Sequence, residues 1–122
     1  NTLFDLKNLS PRRLFGCSSL AVAPERTRTG GPLLARNLDF YPLGYLHDFG
    51  LVTARRSHAV GLRPFLAVGF PGTVGVFSGM NDAGLTAVTH EVFSPPGRGF
   101  NPKGEPFAVT VRRVLETCAT VG

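Results

Sequence analysis

The chain has 122 residues, enough for one domain or part of one, and a chain of this length can bury a real core. Its hydrophobic content of 43% and mean hydropathy of +0.09 exclude a disordered polymer. No apolar run approaches the roughly 18 residues of a membrane helix, and the basic residues behind the net charge of +5, mostly arginines, lie in scattered pairs. We therefore expect neither a membrane nor a nucleic acid as the partner, since nucleic-acid footprints usually cluster on one face.

Alternating and apolar segments separated by proline and glycine predict six short strands followed by one helix. The strands are predicted over residues 17–24, 33–40, 51–56, 65–70, 74–79 and 85–92, and the helix over 107–119. Asn81–Gly84 is typical of a tight turn with Gly84 in a left-handed conformation. Short connections of this kind favour antiparallel pairing.

The last element changes its period to three and four residues, which is typical of an amphipathic helix. Its apolar positions are Phe107, Val111, Val114, Leu115 and Cys118. Glu116 follows Arg112 by four residues, so these two side chains are expected to pair. Cys118 is predicted to be a small buried apolar residue, and two cysteines alone make neither a disulfide framework nor a zinc site.

These elements predict an α+β fold built on an antiparallel sheet. One helix covers at most part of one face of a six-stranded sheet, so the remaining cover must come from further sequence or from a second copy of the chain.

The residues with the most chemical potential are a cysteine and two charged side chains on neighbouring strands. Cys17 follows Gly16 and opens an apolar run, and Arg36 and Asp39 lie about twenty residues further on in a second apolar run. A turn centred near Arg28 would place Cys17 opposite Asp39 or its neighbour Phe40 in an antiparallel hairpin.

Arg36 and Asp39 are three residues apart, so in a regular strand they point to opposite faces. Both can face Cys17 only if the strand bulges near Asn37 or ends before Asp39.

Each candidate taken singly has an ordinary interpretation. A cysteine in an apolar strand is most often core, an Arg-x-x-Asp pair is most often on the surface, and Asn81 beside Asp82 is most often turn chemistry. His90-Glu91 has no second ligand at a metal-binding spacing, so neither a metal site nor a cofactor is expected. His47 and His58 are interpreted as loop residues.

Three motifs in order carry a family resemblance. Gly16-Cys17, the segment Gly31–Phe40 and the segment Gly79–Leu85 resemble the N-terminal-nucleophile (Ntn) cysteine hydrolases. The nearest group is the isopenicillin N acyltransferases (acyl-coenzyme A:6-aminopenicillanate acyltransferases), with choloylglycine hydrolases and penicillin V acylases more distant. The resemblance implies an αββα sandwich, of which residues 17–122 would be the incomplete N-terminal part and residues 1–16 a propeptide-like segment.

The resemblance also implies a role for each matching residue. Cys17 matches the nucleophile, and the Gly16–Cys17 bond matches the site of self-processing. Arg36 and Asp39 match the family's Arg-x-x-Asp motif, and Asn81 matches the asparagine assigned to the oxyanion hole. The later Asn and Arg of choloylglycine hydrolases have no counterpart in this chain.

The side chains of these residues have the chemical properties that the implied self-processing and acyl transfer require. The Cys17 thiol would attack the Gly16 carbonyl, and water would then release the upstream segment. The freed α-amine of Cys17, with an ordinary pKa of about 7.7–8.0, suits a general base at neutral pH. Arg36 would stabilise the thiolate by its charge, Asp39 would hold the amine, and Asn81 would donate to the oxyanion.

An aromatic loop follows the Arg-x-x-Asp strand and is a candidate acyl pocket. Its residues are Phe40, Tyr41, Tyr45 and Phe49, which could equally pack on the sheet. The expected substrate is a small-molecule N-acyl amide or another acyl donor, attacked at a non-peptide C–N bond through a thioester. The alternatives are a non-catalytic module with the same fold and, less favoured, a basic polyanion-binding domain.

Overall fold

A computed structural model describes residues 16–39, 46–90, 101 and 103–122. Its strands, all antiparallel, are β1 Gly16–Val22, β2 Leu33–Asp39, β3 Leu51–Arg55, β4 Phe65–Gly69, β5 Ser78–Asn81 and β6 Thr86–Val88, and its helix is α1 Phe107–Thr117. The predicted α+β class, with antiparallel strands followed by a helix, is confirmed. No helix among these residues is long and apolar enough to cross a membrane.

The described strands form two sheets, so the expectation of one six-stranded sheet is wrong. β1 pairs with β2 as a separate hairpin, and β3, β4, β5 and β6 form a meander in chain order. No ladder joins β2 to β3 in the described part of the chain. The hairpin is therefore held to the meander by side chains.

The fifth strand lies later than predicted. Residues 75–77 are buried and Gly75 lies against Ala108 of α1, and the ladder begins only at Ser78, which pairs with Val68. The Val76 N–H donates to the Ala108 carbonyl at 2.8 Å instead of to a neighbouring strand. The turn predicted at Asn81–Gly84 is confirmed, since the Gly84 N–H donates to the Asn81 carbonyl and Gly84 has a φ of +83°.

The core lies between α1 and one face of the meander. Side chains alternate along β4, so Phe65 and Ala67 face the helix while Leu66 and Val68 face away. Leu115 is fully buried against this face. The core residues are Phe65, Ala67, Val76 and Leu115, with Ala87 and Val111 packed against them.

The opposite face of the meander is apolar and exposed. Val52, Leu66, Val68 and Met80 keep between 46% and 67% of their surface accessible. Ser78 belongs to the same face, because side chains alternate along β5 and Gly79 faces the helix. This face is where the hairpin meets the meander.

The absence of a side chain at Gly75 lets the helix lie close to the segment before β5. A Cβ added there would lie 2.5 Å from the Ala108 Cβ and 2.8 Å from the Ala108 carbonyl carbon. We expect Gly75→Ala to lower the free energy of unfolding by about 1–3 kcal/mol, since overpacking forces the helix outward. Urea denaturation measures this. Gly31→Ala is the matched control, because an added Cβ there meets nothing within 4 Å; equal stability of the two variants would refute this account.

Three predictions fall on residues that are not described. These are the propeptide-like segment before Gly16, the aromatic residues Phe40, Tyr41 and Tyr45, and most of the loop between β6 and α1. The division of the chain at residue 16 stays a prediction.

Candidate active site

The hairpin register places Cys17 opposite Leu38 and Gly16 opposite Asp39. The expectation that Cys17 lies opposite Asp39 or Phe40 is therefore wrong by one residue. The reason is the turn, whose centre lies between Thr27 and Arg28. The Thr27 hydroxyl fastens this turn through hydrogen bonds to the carbonyls of Pro24 and Gly31.

This register separates the two charged residues of the Arg-x-x-Asp motif. β2 pairs residue by residue with β1 from Leu33 to Asp39 and contains no bulge. Cys17 and Arg36 consequently share one face of the hairpin, whereas Asp39 lies on the other face with Gly16. β2 neither bulges near Asn37 nor ends before Asp39, so Arg36 and Asp39 cannot both face Cys17.

Arg36 joins the cysteine to the second sheet. Its Nη2 donates to the Cys17 Sγ at 3.1 Å and to the Thr89 carbonyl at 2.7 Å. Its Nη1 donates to the Ser78 Oγ at 2.9 Å. The planar guanidinium can hold all three positions at once, which a flexible ammonium group cannot.

One nitrogen of the Arg36 guanidinium forms no hydrogen bond with the described residues. Its Nε is buried and has no hydrogen-bond partner within the described part of the chain. An unpaired buried donor costs about 1–3 kcal/mol, so such atoms are uncommon outside functional sites.

Asp39 approaches the same peptide bond from the other face. A Cβ added to Gly16 would lie 3.4 Å from the Asp39 Oδ2, so the carboxylate lies directly beside the Gly16 α-carbon. The Gly16–Cys17 bond therefore has a guanidinium on the face of its thiol and a carboxylate on the opposite face.

Asn81 lies apart from Cys17, Arg36 and Asp39 in its contacts, because its side chain binds the end of α1. It is only 4% exposed, and its Nδ2 donates to the carbonyls of Leu115 and Cys118 at 3.0 and 2.7 Å. Its Oδ1 accepts the N–H groups of Ala83 and Leu85. Both amide hydrogens are thus engaged at the end of α1, and donation to an oxyanion would require them to leave these carbonyls. The oxyanion role of Asn81 stays a prediction.

Sequence reasoning missed Ser78 and Thr89, the acceptors of Arg36. Both lie at strand ends, and the Thr89 N–H continues the ladder by donating to the Phe77 carbonyl. No spacing in the sequence relates them to Arg36, which is 42 and 53 residues away along the chain.

His90 also has an unexpected partner. Its Nε2 lies 2.9 Å from the Ser19 Oγ, which adds a second link between the hairpin and the meander. Among the residues the structure describes, no three His, Cys, Asp or Glu side chains form a group that could hold a metal ion.

Phe49 is the one member of the proposed acyl pocket that is described. It lies in a 3₁₀ turn over Leu46–Phe49, and it is exposed.

A comparison with known protein families shows which family the chain belongs to. The sequence model of the acyl-coenzyme A:6-aminopenicillanic acid acyl-transferase family matches residues 26–122. The chain belongs to this family. No curated protein and no solved structure matches it.

Membership of the acyl-transferase family confirms the resemblance inferred from the three motifs. The matched range contains Arg36, Asp39 and Asn81 and begins after Cys17. The antiparallel strands in two sheets followed by a helix are consistent with part of an Ntn-like fold.

Removal of the Arg36 guanidinium should loosen the attachment of the hairpin in this member of the acyl-transferase family. We expect Arg36→Met to lower the free energy of unfolding by about 1–3 kcal/mol, because its bonds to Ser78 and Thr89 are lost. Urea denaturation tests this, with Arg28→Met as the control, since Arg28 is an exposed residue of the hairpin turn. Arg36→Lys should lie between them. Arg36→Met and Arg28→Met of equal stability would contradict the inferred link.

Proposed function

We propose that this protein is a self-processing acyltransferase or amidohydrolase with Cys17 as its nucleophile. The observation that carries the proposal is the hydrogen bond from Arg36 to the Cys17 Sγ beside a glycyl peptide bond. The family match supports acyl transfer in general.

The processing step is an N-to-S acyl shift at the Gly16–Cys17 bond. The Cys17 sulfur attacks the Gly16 carbonyl carbon, the C–N bond breaks, and the Cys17 nitrogen takes a proton. Water then cleaves the resulting thioester, which leaves a Gly16 carboxylate, the thiol and a free α-amine on Cys17. Gly16 suits this step because it has no Cβ to obstruct the rearranging backbone.

Asp39 would hold the amine that this step creates. In support, its carboxylate lies beside the Gly16 α-carbon, which is two bonds from the nitrogen that becomes the new N-terminus. Arg36 stays on the opposite face with the sulfur. The separation of the two charges lets each act on a different atom of the same residue.

Turnover uses the same atoms on a substrate. The α-amine of Cys17 takes the thiol proton, and the sulfur attacks the carbonyl of a small-molecule N-acyl amide or another acyl donor. The amine or other leaving group departs with a proton, and the acyl group remains on sulfur as a thioester. Water or an acceptor amine then removes it.

Intact-mass spectrometry of the full-length gene product, with N-terminal sequencing of its fragments, tests the proposal. We expect a fragment that begins at Cys17, and a mass increase on that fragment equal to one acyl group when an N-acyl p-nitroanilide is added. A chain that remains uncut and takes up no acyl group would falsify the proposal and would favour a non-catalytic module of the same fold.

A further inference from the structure

Four arginines that are scattered in the sequence converge on one cleft beside α1. Arg55 is the last residue of β3 and Arg56 follows it, Arg63 lies in the loop before β4, and Arg112 lies on α1. They line a cavity of about 580 Å³, which we call the arginine cleft.

Two of these four charges are neutralised within the protein. Arg63 forms an ion pair with Asp82 at 2.8 Å, and Arg112 forms one with Glu116 at 2.8 Å. The second pair confirms the expectation of an i to i+4 interaction on the helix.

The other two charges have no ion-pair partner among the described residues. Arg55 donates one hydrogen bond, to the Thr73 carbonyl at 3.5 Å, which is the long limit of such a bond. Arg56 is exposed and forms no hydrogen bond or ion pair with any described residue. The guanidinium groups of Arg55 and Arg56 therefore give the cleft an excess of positive charge and ten N–H donors, one of which binds a described residue.

The cleft is separate from the Cys17 and Arg36 side chains. Arg55 pairs with Phe65, which pairs with Asn81, at the end of the meander away from Ser78. Arg55 and Phe65 also share the helix side of the sheet, whereas Ser78, the partner of Arg36, faces the other side. A ligand in the cleft would not be the acyl group that reacts with Cys17.

Guanidinium groups match the oxygens of a phosphate in both charge and geometry, because each can donate two parallel hydrogen bonds. The hydroxyls of Thr53 and Ser57 line the same cavity and add donors, while Leu62 and Phe65 add apolar surface. The volume lies in the range of small-molecule sites and exceeds that of one phosphate.

We propose that the arginine cleft binds a small molecule that carries a phosphate or diphosphate group. A small ligand is favoured over a nucleic acid because the arginines line one cleft and do not form a stripe along the surface. The apolar wall would hold the rest of the molecule.

Isothermal titration calorimetry with inorganic pyrophosphate tests the proposal on the folded chain. We expect saturable binding at one site, about tenfold weaker in Arg56→Gln and weaker still in Arg55→Gln/Arg56→Gln. Arg56 is exposed, so its replacement leaves the core intact. Raising the salt concentration should weaken binding by screening.

Arg28→Gln is the matched control, because it removes the same charge from the exposed hairpin turn. It should bind pyrophosphate as the unaltered protein does, and so should Cys17→Ala, whatever the outcome for self-processing. No binding by the unaltered protein, or equal weakening by Arg28→Gln, would overturn the proposal. Tighter binding of a single-stranded oligonucleotide, with affinity that grows with its length, would assign the surface to nucleic acid instead.

Discussion

Cys17→Ala is expected to abolish both the release of the upstream segment and acyl transfer, with a loss of about 10⁴-fold or more. The substitution removes the sulfur that forms the thioester in both of the proposed reactions. Arg36 keeps its bonds to Ser78 and Thr89 in this variant, so the hairpin should stay attached to the meander. Intact-mass spectrometry over time measures the release, and loss of an N-acyl p-nitroanilide measures the transfer.

Cys118→Ala is the control for the loss of a thiol. Both cysteines are free and half-buried, but it is the backbone carbonyl of Cys118, not its sulfur, that accepts from Asn81. This variant should therefore cleave and turn over at the rate of the unaltered protein. Continued cleavage before residue 17 in Cys17→Ala would show that another group performs the step.

Asn81→Ala is expected to lower the free energy of unfolding by about 3–4 kcal/mol. The substitution leaves the carbonyls of Leu115 and Cys118 and the N–H groups of Ala83 and Leu85 without their partner, and each net hydrogen bond contributes about 1 kcal/mol. Asn81→Asp should cost more, because a carboxylate would face two carbonyl oxygens. Urea denaturation with a constant m-value measures both.

Asn37→Ala, at an exposed position of β2, provides the comparison and should change stability little. The same variants discriminate between the two roles of Asn81. A structural role predicts loss of stability together with loss of activity, whereas an oxyanion role predicts lost activity at unchanged stability. An Asn81→Ala protein as stable as Asn37→Ala would contradict the structural role.

Asn81 belongs to a family motif, and its hydrogen bonds also give it a structural role. Asn81 is the last residue of β5. Its side-chain oxygen accepts two N–H groups of its own turn, and its side-chain nitrogen donates to two carbonyls at the end of α1. The turn was predictable from Asn81–Gly84, because an asparagine side chain commonly accepts an N–H two residues on and glycine tolerates a positive φ. The two donated bonds were not predictable, because their acceptors lie 34 and 37 residues away.

The elements that depend on local chemistry could be predicted closely. The period of the apolar positions predicted α1, whose observed bounds are Phe107–Thr117. The hairpin of β1 and β2 followed from two apolar runs around a region rich in threonine and glycine. The fifth strand was misplaced because apolar residues that pack against a helix resemble a buried strand in sequence.

The sequence by itself determined that Cys17, Arg36 and Asp39 lie on two paired strands, and that a helix follows an antiparallel sheet. Only the tertiary structure decided which face each side chain takes, because a shift of one residue in register moves every side chain of a strand to the opposite face. The register followed from the Thr27 turn, and the attachment of Arg36 followed from strands more than forty residues away. The arginine cleft likewise exists only in three dimensions, since its charges come from a strand, a loop and a helix whose proximity no local pattern encodes.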